Sequence, residues 1–289
     1  ERAFFECRNL TDITIGSSVT SIRYKTFYYC EKLEQIVIPS SVTSIEYKAF
    51  YKCYSLKQIT IPSSVKSISG NPFIDCGPLE TIVLDSKTSK YVFNDNVLFT
   101  KDLHTLISYL DDKRSTYEIP SSVKSIGNRA FSHNYPLKEI IIPSSVTSIG
   151  NKAFSKLCSL RQITIPSSVT SIDSNPFAES RLETIIVDSK NPKFVSVDNV
   201  LFTKDMRILI HACRNMQGEY TIPSSVRSIR AYAFFECKSL TQIAIPSSVS
   251  TIGRDAFSEC TSLTQITIPS SVTTIEKKTF NNCKSLKQI

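Results

Sequence analysis

The residues with the most distinctive chemistry in this chain are nine cysteines and three histidines. Thiolates and imidazoles bind zinc, and paired thiols form disulfides. The cysteines lack the C-x-x-C spacing of a zinc ribbon. Most of them instead lie 23 residues apart in two series, Cys7 to Cys76 and Cys237 to Cys283. This interval places them in one column of a repeating structure, so we predict reduced, buried thiols that behave as small hydrophobic side chains.

Other residues that could support catalysis or bind a cofactor are not arranged to do so. The three histidines, His104, His133 and His211, are not at metal-ligand spacing, and no glycine-rich phosphate loop is present. Carboxylates are scattered over repeat positions without a pair that stands out for acid–base chemistry. The sequence therefore predicts a protein that is not an enzyme and has no cofactor or metal ion.

The elements that position these columns are copies of one repeat. The block Ile-Pro-Ser-Ser-Val recurs with successive copies mostly 23 residues apart, a period typical of a solenoid. In the type unit, Ile59 and Ile61 alternate with polar residues, which predicts a short strand with one buried face. Pro62 ends the strand because proline has no N–H to donate. We therefore predict a mainly β solenoid with a parallel sheet of about twelve short strands, joined by short turns or 3-10 segments.

The repeat also predicts the domain organisation. Columns of Leu, Ile, Val and Phe are buried only when neighbouring coils cover both sides, so one coil should not fold alone. We expect a single solenoid domain over residues 1–289. Because the sequence starts and stops inside a repeat, we expect it to be a fragment of a longer array.

Two segments depart from the period, near residues 77–118 and 181–221. They are similar to each other, and both contain the run Val-Leu-Phe-Thr-Lys-Asp, starting at Val97 and Val200. Their alternating apolar residues predict β-hairpin or meander inserts that project from a coil. Two interpretations remain open: an insert covers a sheet edge or fills a gap in the stack, or it is a flap that contacts a ligand.

Two surfaces are candidates for binding. The first, which we call the strand face, consists of the outward-pointing residues of the predicted strands. It is mostly uncharged and flat, which suits a large protein or glycan better than a buried small molecule. The candidate binding residues on it are Gln58, Thr60, Glu139, Gln162, Thr164, Gln242, Gln265 and Thr267.

The second surface, which we call the basic turns, lies in the turns that precede each phenylalanine of the repeat. Much of the net charge of +8 falls there, on Arg23, Lys25, Lys48, Arg129, Lys152, Arg230 and Arg254. These cations either attract sulfated glycans and other anionic surfaces or form a solvated face. Nucleic acid is not expected as a partner, because no aromatic residues are interleaved with the charges. No apolar run is long enough to span a membrane.

The pattern L-x-x-I-x-I-P-x-S-V-x-x-I-x-x-x-A-F-x-x-C, present in 33–53 and 240–260, resembles the BspA-like leucine-rich repeat family. This resemblance implies a leucine-rich repeat solenoid and a surface or secreted location in a bacterium or protozoan. It also implies an extracellular role in cell adhesion, with a host, matrix or cell-surface protein or glycan as partner. The alternative is an intracellular, cytoplasmic leucine-rich repeat scaffold or regulatory protein, which the reduced cysteines would suit.

Overall fold

A computed structural model describes residues 1–77, 79–85 and 89–288. The chain divides into two compact units: the first comprises residues 1–114 and 122–136, and the second comprises residues 115–121 and 137–289. Each unit has its own hydrophobic core. The single domain over residues 1–289 therefore stays a prediction. Positions 78 and 86–88, which belong to the first predicted insert, and position 289 lie outside the described residues.

The described residues form strands and turns, and no helix is assigned among them, so none of them forms a helix able to span a membrane. Strands are numbered in chain order. Ten of them follow the repeat: β2 (Gln35–Val37), β4 (Gln58–Ile61), β6 (Thr81–Leu84), β10 (Thr116–Glu118), β12 (Glu139–Ile141), β14 (Gln162–Ile165), β16 (Thr184–Val187), β20 (Gln217–Thr221), β22 (Ser239–Ala244) and β24 (Gln265–Thr267).

These repeat strands pair in parallel, which confirms the predicted solenoid class. The first unit contains the ladder β2-β4-β6, with Ile36, Ile59 and Ile82 in register. The second unit contains the ladders β10-β12, β14-β16 and β20-β22-β24. The strands are thus divided among several short sheets. The first repeat has no assigned strand at 12–14, and the last has only an isolated bridge between Gln265 and Gln288.

A second side of each coil is built from two-residue strands that share a Ser-Ile or Thr-Ile sequence. These are β1 (Ser21–Ile22), β3 (Ser44–Ile45), β5 (Ser67–Ile68), β11 (Ser125–Ile126), β13 (Ser148–Ile149), β15 (Ser171–Ile172), β21 (Ser228–Ile229) and β23 (Thr251–Ile252). Their isoleucines point inward, and neighbouring strands again pair in parallel, as in β1-β3-β5. Apart from β1, which follows Gly16, they return the chain to the core after a proline that ends a repeat strand.

The third side of each coil is the turn around the column of phenylalanines. Phe4, Phe27, Phe50 and Phe73 stack with ring centroids 5.3, 5.4 and 5.6 Å apart, and Phe234 and Phe257 stack at 5.2 Å. Residues on either side adopt left-handed backbone angles, for example Lys25 and Tyr29 with φ of 57° and 61°. Such angles are costly for residues with a side chain. Hydrogen bonds between coils, such as the 2.8 Å bond from Phe27 N to Ala49 O, help to hold them.

Both inserts are three-stranded antiparallel meanders. The strands are β7 (Tyr91–Asn94), β8 (Val97–Thr100) and β9 (Thr105–Tyr109) in the first insert, and β17 (Phe194–Val197), β18 (Val200–Thr203) and β19 (Ile208–Ala212) in the second. In each, the last strand also pairs in parallel with a two-residue strand, β9 with β11 and β19 with β21.

The inserts are part of the core. Leu98 and Leu201, in the middle strands, are completely buried. The tight turns have positive φ at both central residues, Asp95-Asn96 and Asp198-Asn199, as a type I′ hairpin requires. The structure therefore agrees with the interpretation that an insert extends a sheet and fills the stack, and the middle strands do not project as flaps.

The cysteine column is an apolar structural column. All nine cysteines are free, and interior thiols donate to a carbonyl 26 residues earlier, for example Cys53 Sγ to Phe27 O at 3.1 Å. Burial raises the pKa of the Cys30 thiol to about 12, so it stays neutral at physiological pH. The interior thiols agree with the predicted reduced, buried thiols, whereas Cys7 at the start of the column is exposed.

Candidate binding surfaces

The strand face exposes large apolar side chains. Val37 is 66% exposed and Ile141 is 48% exposed, and Val83 and Ile186 are also exposed. In the first unit, Val37 and Val83 flank Thr60 in register across three strands. In the second unit, Thr164 on β14 pairs with Ile186 on β16. Each unit therefore presents a column of β-branched side chains to solvent.

The predicted strand-face residues fall into three groups. Glu139, Gln162 and Thr164 line one shallow depression of about 620 Å³ in the second unit, together with Ile141. A second depression of about 230 Å³ in the same unit is lined by Gln242, Gln265 and Thr267. Gln58 and Thr60 lie on the face of the first unit. Thr60 is partly buried, and the other seven residues are exposed.

In the first unit, three cations of the basic turns lie over aromatic rings. The Lys25 ammonium lies 4.3 Å from the centroid of the Tyr28 ring, and that of Lys48 lies 4.5 Å from Tyr51. The Arg129 guanidinium lies 4.4 Å from the Tyr47 ring. A cation over an aromatic face is attracted by the ring quadrupole. These cations therefore contribute to the packing of the turns, while Arg23 is exposed.

The cations in the second unit are engaged in the same way. Lys152 Nζ lies 3.6 Å from the centroid of Tyr232 and 3.7 Å from a carboxylate oxygen of Glu179. Arg254 Nη2 donates to Tyr232 Oη at 2.8 Å. Arg230 Nη1 donates to the carbonyls of Ile172 and Ser174, and burial lowers the pKa of this guanidinium. The sequence places these charges in the turns before each phenylalanine but could not show their partners.

One premise of the sequence analysis was wrong: aromatic rings are interleaved with the basic turns. Phe5, Tyr28 and Tyr51 form a stack with centroid spacings of 4.7 and 4.8 Å, next to Lys25 and Lys48. The 23-residue spacing of these three aromatic residues was a signal that could have revealed the stack. Because the rings cover one another, the stack interior offers no open faces on which bases could stack.

Two cavities beside the inserts were not predicted. The first cavity, of about 200 Å³ in the first unit, is lined by Asp75, His133 and Asn134 among others. The second cavity, of about 420 Å³ in the second unit, is lined by Lys193, Lys204 and Arg230 among others. Asp75 and His133 occupy the same position of consecutive coils, directly before the cysteine column. Aligning the coils across the insert would have paired them.

The candidate sites contain no constellation for metal binding. Within 1–77, 79–85 and 89–288, no group of three or more His, Cys, Asp and Glu residues could hold a metal ion. The buried His211 contacts Asn175 at 3.4 Å, and burial lowers the pKa of its imidazole to about 3. This histidine is thus a neutral core residue.

Comparison with known proteins identifies the family. The model of the BspA type leucine rich repeat region matches six copies over residues 1–102, 109–205 and 211–289. This match covers most of the sequence, and the chain therefore belongs to the BspA-type leucine-rich repeat family. Proteins of this kind are generally non-enzymatic scaffolds. No curated protein sequence matches the chain.

Three solved bacterial structures are similar over nearly the whole chain. The pneumococcal vaccine antigen PcpA is 27% identical with a TM-score of 0.61, covering 94% of this chain and 69% of that one. A leucine-rich repeat protein from Eubacterium ventriosum is 28% identical with a TM-score of 0.61, covering 98% and 79%. A leucine rich cell surface protein from Faecalibacterium prausnitzii is 31% identical with a TM-score of 0.60, covering 97% and 73%.

Proposed function

We propose that this chain is part of a non-enzymatic cell-surface adhesin that binds a protein partner through its strand face. The observation that carries the proposal is the exposed column of β-branched residues that each unit presents, with Val37 the most exposed in the first unit and Ile141 in the second. Single exposed apolar residues are common, but an ordered apolar column on a flat sheet is typical of an interaction surface.

The chemistry of the strand face favours a protein over an anionic glycan. Its apolar residues alternate with Gln and Thr side chains, which supply hydrogen bonds at low desolvation cost compared with charges. The cations that would attract sulfate groups lie in the basic turns, where tyrosine rings and backbone carbonyls already engage several of them. Side chains of a partner can pack into the two depressions in the second unit.

The proposed surface location is supported by similarity to structures described as a cell surface protein and a vaccine antigen. One observation favours the alternative of an intracellular scaffold: all nine cysteines are free, as in proteins of reducing compartments. Labelling intact and permeabilised cells with an antibody against this chain separates the two. Signal on intact cells supports the adhesin, and signal only after permeabilisation supports the scaffold.

The binding surface is tested with a panel of immobilised extracellular-matrix proteins and heparin as a sulfated-glycan probe. The strand-face variant combines Ile141→Lys and Ile186→Lys, which place charges on exposed positions and leave the core intact. The control combines Lys25→Gln and Arg254→Gln in the basic turns. Far-UV circular dichroism checks that both variants fold.

We expect the strand-face variant to lose at least about tenfold in affinity for the matrix protein that the wild type binds, equivalent to about 1.4 kcal/mol. The control should bind that protein within about twofold of the wild type. A strand-face variant that binds as tightly as the wild type, or a wild type that binds only heparin, contradicts the proposal.

A further inference from the structure

We propose that the first cavity binds one sugar residue of a neutral glycan. This inference goes beyond the strand face and does not rest on it. The cavity lies between two turns of the first unit, at 73–77 and 132–136, and the end of the first insert at 109–112. Its volume is about 200 Å³. One water needs only about 10–15 Å³ of such volume, so the cavity has room for a ligand of many heavy atoms.

A buried histidine–aspartate contact forms part of the cavity wall. His133 Nδ1 lies 2.7 Å from Asp75 Oδ2, and the two side chains are only 6% and 10% exposed. A neutral imidazole that donates Nδ1–H to the carboxylate keeps Nε2 as a hydrogen-bond acceptor. The contact thus fixes the orientation of a polar ring in the wall. Such fixed polar groups are what orient a small ligand in a site.

Asn134 is the independent indication of a ligand. This side chain is 8% exposed, and its Nδ2 donates to the carbonyl of Asp111. Its Oδ1 is buried and has no hydrogen-bond partner among the described residues. Leaving a buried acceptor without a partner is unfavourable, so a donor on a bound molecule would stabilise it. Packing does not demand an amide here, because the same column holds Cys237 in the second unit.

The rim of the cavity is aromatic and acidic. Tyr54 and Tyr135 line it and are 44% and 47% exposed, and the carboxylate of Asp112 is exposed beside them. A pyranose matches this mixture, because its hydroxyls donate to acceptors such as Asn134 Oδ1 while its C–H faces pack on aromatic rings. Asp75 and Asp112 repel carboxylates and sulfates. The site therefore favours a neutral sugar over a sialylated or sulfated one.

The equivalent region of the second unit lacks these groups. Glu236 stands in place of His133, Cys237 in place of Asn134, and Cys158 in place of Tyr54. Glu236 is also engaged, because Arg214 Nη2 lies 2.5 Å from its carboxylate. The sugar site is thus specific to the first unit, although the coils around it are repeats.

The proposal is tested by saturation-transfer NMR on the whole chain, with free glucose, galactose, mannose, fucose and N-acetylglucosamine as separate probes and N-acetylneuraminate as the anionic probe. The variants are Asn134→Cys, which uses a residue that the column holds elsewhere, and Tyr135→Ala at the exposed rim. The control is Glu259→Gln, in a coil of the second unit at the repeat position that His133 occupies in the first. Circular dichroism verifies folding.

We expect transfer to at least one neutral sugar and none to N-acetylneuraminate. The affinity for that sugar should fall about tenfold in Asn134→Cys and in Tyr135→Ala and stay unchanged in Glu259→Gln. If Asn134→Cys does not fold, Tyr135→Ala alone decides. No transfer to any neutral sugar, or undiminished transfer in the folded cavity variants, overturns the proposal. The strand-face lysine variant should retain sugar binding, which keeps this test separate from that of the proposed adhesin function.

Discussion

The two inserts have the same fold but leave different cavities beside them. Each is an antiparallel meander whose last strand pairs in parallel with a two-residue strand of the solenoid. The cavity in the first unit is acidic and aromatic, with Asp75 and Tyr135 in its lining, whereas that in the second unit is basic, with Lys193 and Arg230. The residues that the two inserts share therefore form the framework, and the residues around the inserts give each cavity its charge and polarity.

The shared framework extends to individual hydrogen bonds. Thr100 Oγ1 donates to Asp102 Oδ1 at 2.6 Å in the first insert, and Thr203 Oγ1 donates to Asp205 Oδ1 at 2.6 Å in the second. The bond lowers the pKa of each aspartate. The repeated Thr-Lys-Asp sequence is therefore explained by the turn between two strands.

The largest expected effect tests whether an insert belongs to the core. Phe202, on the middle strand of the second insert, is completely buried. Phe202→Ala should lower the free energy of unfolding by about 3–5 kcal/mol, measured by urea denaturation. The control is Val197→Ala, at an exposed position of the same insert, which should change it by less than about 0.5 kcal/mol. If both variants have the stability of the wild type, the insert is a flap and does not belong to the core.

A smaller effect comes from one of the buried positions that differ between the inserts, His211 in the second and Ser108 in the first. Burial lowers the pKa of His211 from 6.5 to about 3. Above pH 6.5 the imidazole is neutral in both folded and unfolded chains, and its full contribution to stability is present. Between pH 6.5 and 3 only the unfolded chain takes up the proton, so stability falls as the pH falls.

His211→Ser, which copies the first insert, isolates this effect. Between about pH 7 and pH 5 the wild type should lose about 2 kcal/mol more unfolding free energy than the variant, since one proton contributes about 1.4 kcal/mol per pH unit. Urea denaturation at the two pH values measures the difference. Equal losses in both proteins would show that His211 is not held neutral by burial.

The sequence predicts the framework better than the cavities for a physical reason. Ile36, Ile59 and Ile82 are equally spaced, so any solenoid with this period brings them into register. Asp75 and His133 are 58 residues apart, and their contact depends on the path of the insert between them. Whether Lys25 is a free charge depends on the turn that places it over Tyr28. Periodicity specifies columns, whereas these contacts depend on where the columns are interrupted.

The smallest expected effect concerns an ion pair in the second unit. There Glu236 occupies the position of His133 and pairs with Arg214. Arg214 and Glu236 are about one quarter exposed or less, and their charged atoms lie 2.5 Å apart. Arg214→Gln should cost about 1 kcal/mol of unfolding free energy at low salt, and less at high salt because exposed charges are screened. Thermal unfolding at two salt concentrations measures both. A variant as stable as the wild type at low salt would show that this pair does not stabilise the unit.

The most direct test of the central claim, that duplicated units with one framework carry different sites, is a sugar titration followed by amide NMR. Two-dimensional spectra of the whole chain are recorded while the neutral sugar that gives saturation transfer is added. Shifts are predicted at Asp75, His133 and Tyr135 in the first unit, with none at their counterparts Glu179, Glu236 and Lys238. Equal shifts in both units, or shifts confined to the counterparts, would contradict the account.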